Sequence, residues 1–353
     1  MSMHIVGLGT AVPQRSFTQR ECWEALRRAD RPELTPRTRA VLEGILNHDN
    51  GIERRSLAVD SLDEGFELDP DTLHRRFVRH APALASQAAR KALDDAGLQP
   101  REVDAVIVST CTGYLCPGLT SYVAEALALR PDAVHLDLVG QGCGAALPNL
   151  RAGEALLASG QGATVLSICV EVCSAAFYLD NDLGVLVSAC LFGDGAGAAV
   201  LQARPRSGKR KVAWKTAASL TDPSLRDALR FEQRGGMLRN ILTLPVPELA
   251  ARHARQVLDT VLERDRIARE AITTWVLHAG GRKVLEELSS RLALAGGDTR
   301  WSGAVLREFG NLSSPFVLFV LDAALKGRSP GGLWWMSSFG AGFTCHGALL
   351  EVA

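Results

Sequence analysis

The chain has 353 residues, 47% of them hydrophobic, enough to build a core for one large domain or two of ordinary size. Its 39 basic and 39 acidic residues balance to a net charge of zero with no long run of either sign, which excludes recognition of a nucleic-acid backbone or an anionic membrane through net charge. The longest apolar run, near Phe316 to Leu321, is too short to span a bilayer, and the N-terminal segment lacks the marks of a secretory signal, so a cytoplasmic protein is expected.

Short runs rich in Val, Ile and Leu alternate with helical stretches along the chain. A helix over residues 81–96 closes on Gly97 and feeds a buried strand over 103–109. A helix over 120–129 follows a Pro-Gly turn, a buried strand over 133–139 leads into a helix over 145–158 that closes on Gly160, and 164–170 reads as another buried strand. Residues 190–201 read as a Gly-rich strand region. Residues 204–211, polar with Pro, Gly and five basic side chains, form the expected boundary between a first half, 1–203, and a second half, 212–353. The second half continues with a helix over 246–262, the strand TTWVLH over 273–278, helices from Lys283 and from Ser302, a helix over 315–326, and strands over 332–339 and 343–352. This alternation predicts an α/β fold.

The two halves echo one another. In the first, GQGCGAALPNL enters a helix whose Ala146, Leu150, Gly153 and Leu157 share one face. In the second, EFGNLSSPFVLFVLDAALKG enters a helix with Ser314 as its expected N-cap, Pro315 in its first turn, and Phe316, Phe319, Val320 and Ala323 on one face. Two helix N-termini aimed at a shared centre would stabilise an anion.

Eight cysteines, Cys22, Cys111, Cys116, Cys143, Cys169, Cys173, Cys190 and Cys345, lie scattered in apolar segments without a CxxC pair, which argues against a metal site and for free thiols. Cys143 stands out because it lies between glycines where a buried strand turns into a helix, a place that admits a substrate and favours a thiolate. A small residue packed at a crowded turn is the alternative. His278 ends a strand before Ala279-Gly280-Gly281, where α/β proteins place their sites, and otherwise reads as a core histidine. Asn311, just before a helix, otherwise reads as a turn or capping residue.

The order Cys, His, Asn, spaced by 135 and then 33 residues, with GQGCGAALP around Cys143, HAGG from His278 and GNLSS from Gly310, resembles the type III polyketide synthases, the chalcone and stilbene synthase family, across nearly the whole chain. LFGDGAG from Leu191, which puts the family's gatekeeper phenylalanine on Phe192, and SFGAGFT from Ser338 extend the resemblance. It implies a thiolase fold, two duplicated α/β halves forming a layered αβαβα core. It also implies an acyltransferase that loads an acyl starter from acyl-CoA onto Cys143 and extends it by decarboxylative condensation with malonyl-CoA. A cyclised resorcinol, pyrone or phloroglucinol would be released. His278 would hold the Cys143 thiolate as an ion pair, and His278 and Asn311 would stabilise the enolate oxygen. No metal or other cofactor is needed. The rival within enzymes is a single-step ketoacyl synthase III-like condensing enzyme; outside them, it is a non-catalytic acyl-binding protein on the same fold.

The resemblance further implies a substrate-binding set: Cys111, Cys116, Cys173, Ala176, Phe192, Asn240 at a second gatekeeper position, Ser313, Gly280, Gly281, Arg282 and Lys283. Cys111, Cys173 and Ala176 stand where plant members carry threonine, and Cys111 could act as a second thiol near the chain. Cys116 matches a position that reaches across a dimer interface, so a homodimer is implied. The basic residues that receive coenzyme A in plant members fall on Leu42, Ile45 and Asp49, none of them basic. Either Arg282, Lys283, Arg54 or Arg55 replaces them, or an acyl carrier protein presents the donor.

Overall fold

The computed structural model describes residues 3–353 except 30, 32, 161, 177, 180 and 209, so Phe177 of the ICVEVCSAAF segment and Lys209 of the boundary stretch lie outside the described residues. The chain runs through β1 (Met3–Ala11), β2 (Ser16–Thr18), α1 (Gln19–Arg28), α2 (Pro36–Asn47), β3 (Arg54–Ser56), α3 (Pro70–Ala96), β4 (Ala105–Ser109) and α4 (Leu119–Leu127). It continues with β5 (Val134–Leu138), α5 (Ala146–Ala158), β6 (Thr164–Glu171), α6 (Leu183–Leu191) and β7 (Gly195–Gln202). Then follow β8 (Val212–Thr221), β9 (Leu229–Arg234), β10 (Met237–Leu242), α7 (Val246–Asp265), β11 (Ile272–Leu277), α8 (Arg282–Arg291), α9 (Arg300–Phe309), α10 (Phe316–Lys326), β12 (Gly332–Gly340) and β13 (Thr344–Val352).

Nine strands form one hydrogen-bonded sheet in the order β11-β12-β13-β8-β1-β7-β6-β4-β5. Of the apolar runs that read as buried strands, two are its interior: β4 and β6 are buried at every position and pair in parallel, as strands covered on both faces must be. The third, 133–139, is instead the edge strand β5, in which half-buried Val134, Leu136 and Leu138 alternate with exposed His135 and Asp137 because only one face is covered. Both parts of the chain repeat one pattern. The first strand (β1 or β8) pairs antiparallel with the last (β7 or β13), the last pairs antiparallel with the one before it (β6 or β12), and that one pairs in parallel with an earlier strand (β4 or β11). Among the described residues the two sets are hydrogen-bonded to each other where Met3 and His4 of β1 face Trp214 and Ala213 of β8.

Packing gives the layers. One core cluster joins inward-facing side chains of both strand sets to α5 and α10, a second packs α3 and α4 on the outer face of the first set, and a third packs α7 and α8 on the outer face of the second. The result is the αβαβα order of the thiolase fold, with α5 and α10 as the central layer. That position explains α10: Phe316 to Leu321 are all buried, so the single apolar face expected for it is replaced by burial all round.

Two further expectations need correction. Cys190 and Leu191 are not strand but the last residues of α6, which Asp182 starts by accepting from the Gly184 and Val185 amides; the strand begins only at Gly195. Ser314 does not cap α10, whose N-cap is Pro315 without a side-chain bond. The helix at 81–96 begins earlier, at Pro70, where Asp69 caps it, and it ends on Gly97 in the left-handed region as expected.

Candidate active site

The Cys143 turn is built by interlocking glycines. After β5 a single 3-10 turn, Gly142–Gly144, carries Cys143 into α5. Gly142 has a φ of +55°, and a Cβ there would stand 2.9 Å from the Ala341 amide nitrogen. A Cβ on Gly340, at the end of β12, would stand 2.4 Å from the Gln141 carbonyl oxygen and 2.6 Å from the Gly144 nitrogen. The SFGAGFT segment is therefore glycine-rich because it is the seat on which the Cys143 turn rests.

His278 follows β11 and its amide donates to the Ser337 carbonyl at 2.9 Å. Its ring packs edge-on against Phe316 and Phe339, with centroids 5.3 and 4.9 Å away, and neither ring nitrogen has a hydrogen-bond partner. Burial in this apolar clamp pushes the imidazole down to about 3, and burial pushes the Cys143 thiol up to about 12 against the pull of the Ser313 hydroxyl. The resting pair is thus neutral and not hydrogen-bonded, in contrast to the ion pair expected from the sequence. Because the unfolded chain binds the His278 proton below pH 6.5 and the folded chain does not, folding stability should fall as pH drops from 6.5 towards 3, by about 1.4 kcal/mol per unit from this group. His278→Asn should show a shallower acid limb in urea titrations; parallel limbs would contradict the assignment.

Asn311 is tied on every side. Its amide donates to the Leu191 carbonyl at 2.8 Å, and its carbonyl accepts from Gly193 at 3.0 Å. Its Oδ1 accepts from the Ser313 amide at 2.9 Å, the expected turn role, while Nδ2 donates to the Gly280 carbonyl at 3.2 Å and retains a second hydrogen. Ser313, held at a φ of +59° by that turn, donates its hydroxyl to Cys143 Sγ at 3.2 Å. Gly280, two residues after His278, is thereby linked through Asn311 and Ser313 to the thiol.

The acid behind Cys111 is the feature that the sequence reading missed. Cys111 Sγ lies 3.6 Å from Ser313 Oγ and donates to Glu171 Oε1 at 3.3 Å. Glu171 is fully buried at the end of β6. It also accepts from the Cys111 and Thr112 amides and from the hydroxyls of Thr110, Thr112 and Ser314, the last at 2.5 Å. Burial raises its carboxyl despite these donors. The signal for it was a lone acid inside the apolar run SICVEVC. Ser313→Ala should slow iodoacetamide alkylation of Cys143 about tenfold at fixed pH, since a hydrogen bond to a charged group contributes about 1.5–3 kcal/mol. An unchanged rate, read by peptide mapping, would contradict this.

Of the other candidates, Cys173 and Phe192 form one buried cluster on which Cys143, Ala189, Leu191 and Phe231 pack. Ala176 is buried just after Cys173, and Asn240 is buried on β10 with Nδ2 donating to Ser188 Oγ at 2.6 Å. Cys116 is exposed, away from this cluster. Gly281 precedes α8, and Arg282 opens it.

The replacement cations are mostly engaged elsewhere. Arg282 pairs with Asp49 at 2.7 Å and Glu286 at 3.0 Å. Arg55 is buried and structural: it donates to the Ala189 and Phe192 carbonyls at the C-terminal end of α6, to Gln19, and to Cys22 Sγ. Arg54 faces Glu308 at 3.9 Å, and Leu42 and Ile45 belong to an apolar cluster with Leu26, Leu34 and Leu186. Lys283 is exposed on the first turn of α8, with no ion pair among the described residues. A cleft of about 380 Å³, lined by α7 side chains and Arg291, lies on the outer helical layer and shares no residue with the Cys143 cluster.

Among the described residues no group of three or more His, Cys, Asp or Glu side chains could hold a metal ion, and no helix is long and apolar enough to cross a membrane. The chain is 30% identical over 362 residues to 3,5-dihydroxyphenylacetyl-CoA synthase of Streptomyces toyocaensis, covering 98% of this chain and 89% of that protein. It is 29% identical to phloroglucinol synthase of Pseudomonas fluorescens, covering 96% of each. Its structure superposes on the crystal structure of PKS-I from the brown alga Ectocarpus siliculosus with a TM-score of 0.91 at 27% identity, covering 100% of this chain and 98% of that one. Residues 2–205 match the N-terminal domain of chalcone and stilbene synthases and residues 227–352 their C-terminal domain, so this chain belongs to that family and is a type III polyketide synthase.

Proposed function

We propose that Cys143 is the nucleophile, that His278 and Asn311 stabilise developing oxyanions, and that the product is a cyclised resorcinol, pyrone or phloroglucinol. The family works on coenzyme A thioesters, and an acyl starter would move from sulfur of coenzyme A to Cys143 Sγ as the thiol proton passes to the neutral His278 and then to the departing coenzyme A sulfur, which leaves as the free thiol. Burial penalises either charge alone; thiolate and imidazolium together carry no net charge, so the pair is accessible during transfer although neither ion is stable at rest. Malonyl thioester then loses carbon dioxide, and the enolate oxygen meets the second hydrogen of Asn311 Nδ2 and the unpartnered His278 ring. The enolate carbon attacks the Cys143 thioester and releases the sulfur for another cycle.

The observation that supports this most is the bonded path from Cys143 Sγ through Ser313 and Asn311 to Gly280, which ties all three motifs to one centre. The test is incubation with malonyl-CoA and acyl-CoA starters of graded length, with products identified by mass. Ring-closed products carrying two or more malonyl-derived units support iterative extension, and a single extension would support the ketoacyl synthase III alternative.

The division into 1–203 and 212–353 is proposed on the repeated strand pattern of the two parts. A homodimer is proposed on the exposed Tyr114, Cys116 and Val139 beside the edge strand β5. Sedimentation of the purified protein at the monomer mass would contradict it. With Leu42 and Ile45 in the core and Asp49 holding Arg282, Lys283 is proposed as a phosphate-facing cation.

A further inference from the structure

We infer that Asn240 is a specificity residue whose side-chain oxygen accepts a hydrogen bond from a hydroxyl on the starter acyl group. The inference rests on the condensing-enzyme reading above and names the starter chemistry that this site selects.

Three observations carry it. Asn240 is 2% exposed, and its Oδ1 has no hydrogen-bond partner among the described residues. The orientation of the amide is fixed by its neighbour: the single hydrogen of Ser188 goes to the Gly184 carbonyl at 2.7 Å, so Ser188 Oγ can only accept from Asn240, which must present Nδ2 to it and turn Oδ1 away. The register of the β9–β10 hairpin then gives the direction. Asn240 stands directly opposite Phe231, so both side chains leave the same face, and Phe231 packs on the Cys173 and Phe192 cluster against which Cys143 also lies. Asn240 is therefore on the face of the hairpin that packs towards the Cys143 cluster.

A buried acceptor without a donor is unfavourable, and it becomes favourable when a ligand supplies the missing hydrogen. Acyl and malonyl carbonyls, the thioester and the malonyl carboxylate are all acceptors. A hydroxyl, phenolic or aliphatic, is a donor that the acyl part of a starter can bring, distinct from the amide donors that the pantetheine arm carries with every starter. Cys173, Phe192, Phe231 and Leu191 otherwise make an apolar wall, which would accept plain and hydroxylated chains alike without Asn240.

The test uses the full-length protein, malonyl-CoA, and pairs of acyl-CoA starters matched in skeleton: benzoyl and para-hydroxybenzoyl, phenylpropanoyl and para-hydroxyphenylpropanoyl, octanoyl and omega-hydroxyoctanoyl. In at least one pair the hydroxylated member should be used with kcat/KM about tenfold or more above its plain partner, as a site built to bond a hydroxyl discriminates. Asn240→Leu, and Asn240→Ser should the leucine variant fail to fold, should bring that ratio towards one. Equal kcat/KM within every pair, a preference that the variants keep, or an equal loss for plain and hydroxylated starters would each overturn the inference. If no starter of either kind is extended, the condensing-enzyme reading falls and this inference with it.

Discussion

Cys143→Ala is expected to abolish polyketide formation, with a loss of at least about a thousandfold in product by mass spectrometry, because no other group in the site can carry the acyl chain through the same geometry. Cys111 is the nearest competitor in position, but its thiol is pushed well above its ordinary range by burial and by Glu171, the acceptor of its hydrogen bond. Decarboxylation of malonyl-CoA should persist in the variant, since enolate formation calls on His278 and Asn311 and not on sulfur. The fold should survive, as the side chain is small and partly exposed, and thermal unfolding would check this. Product formation near the wild-type rate would transfer the nucleophile's role to another thiol.

Asn311→Ala is expected to lower malonyl-CoA decarboxylation by about a hundredfold to a thousandfold, the usual effect of removing one donor to a developing oxyanion. It also frees the Ser313 amide and the Gly280 carbonyl, so alanine alone would confuse chemistry with scaffolding. Asn311→Asp separates the turn from the chemistry: an aspartate still accepts from the Ser313 amide and keeps the turn, but it offers no hydrogen to the Gly280 carbonyl or to an oxyanion. The account predicts that both variants lose decarboxylation while Asp, unlike Ala, keeps near wild-type alkylation of Cys143. An aspartate variant that decarboxylates normally would show that the amide only shapes the loop.

The sequence made the architecture readable where chemistry and burial coincide. Apolar runs such as 103–109 and 164–170 read as buried strands, and Cys143, His278 and Asn311, each with a packing, core or capping alternative on its own, are singled out by their order and by the family resemblance of the motifs around them. What it concealed depended on contacts between distant segments. Arg282 meets Asp49 across 233 positions, which turns an expected phosphate ligand into one side of an ion pair. Ser314 has every local mark of a helix cap, yet its hydroxyl turns to Glu171, a carboxylate 143 residues earlier. Cys190 and Leu191 read as the start of a strand because they adjoin the Gly-rich run, and the Asp182 cap and the buried Arg55 on the terminal carbonyls show why they belong to a helix. The solitary Glu171 was the readable clue left unused, since an acid in a wholly buried strand must be surrounded by donors.

The central claim is that Cys143 carries the acyl chain. Incubating the protein with an isotopically labelled acyl-CoA, quenching in acid and mapping peptides by mass spectrometry measures it directly. The account predicts the label as a thioester on the peptide containing Cys143, discharged when malonyl-CoA is added. Label on Cys111 or another residue, or no label while product forms, would contradict it.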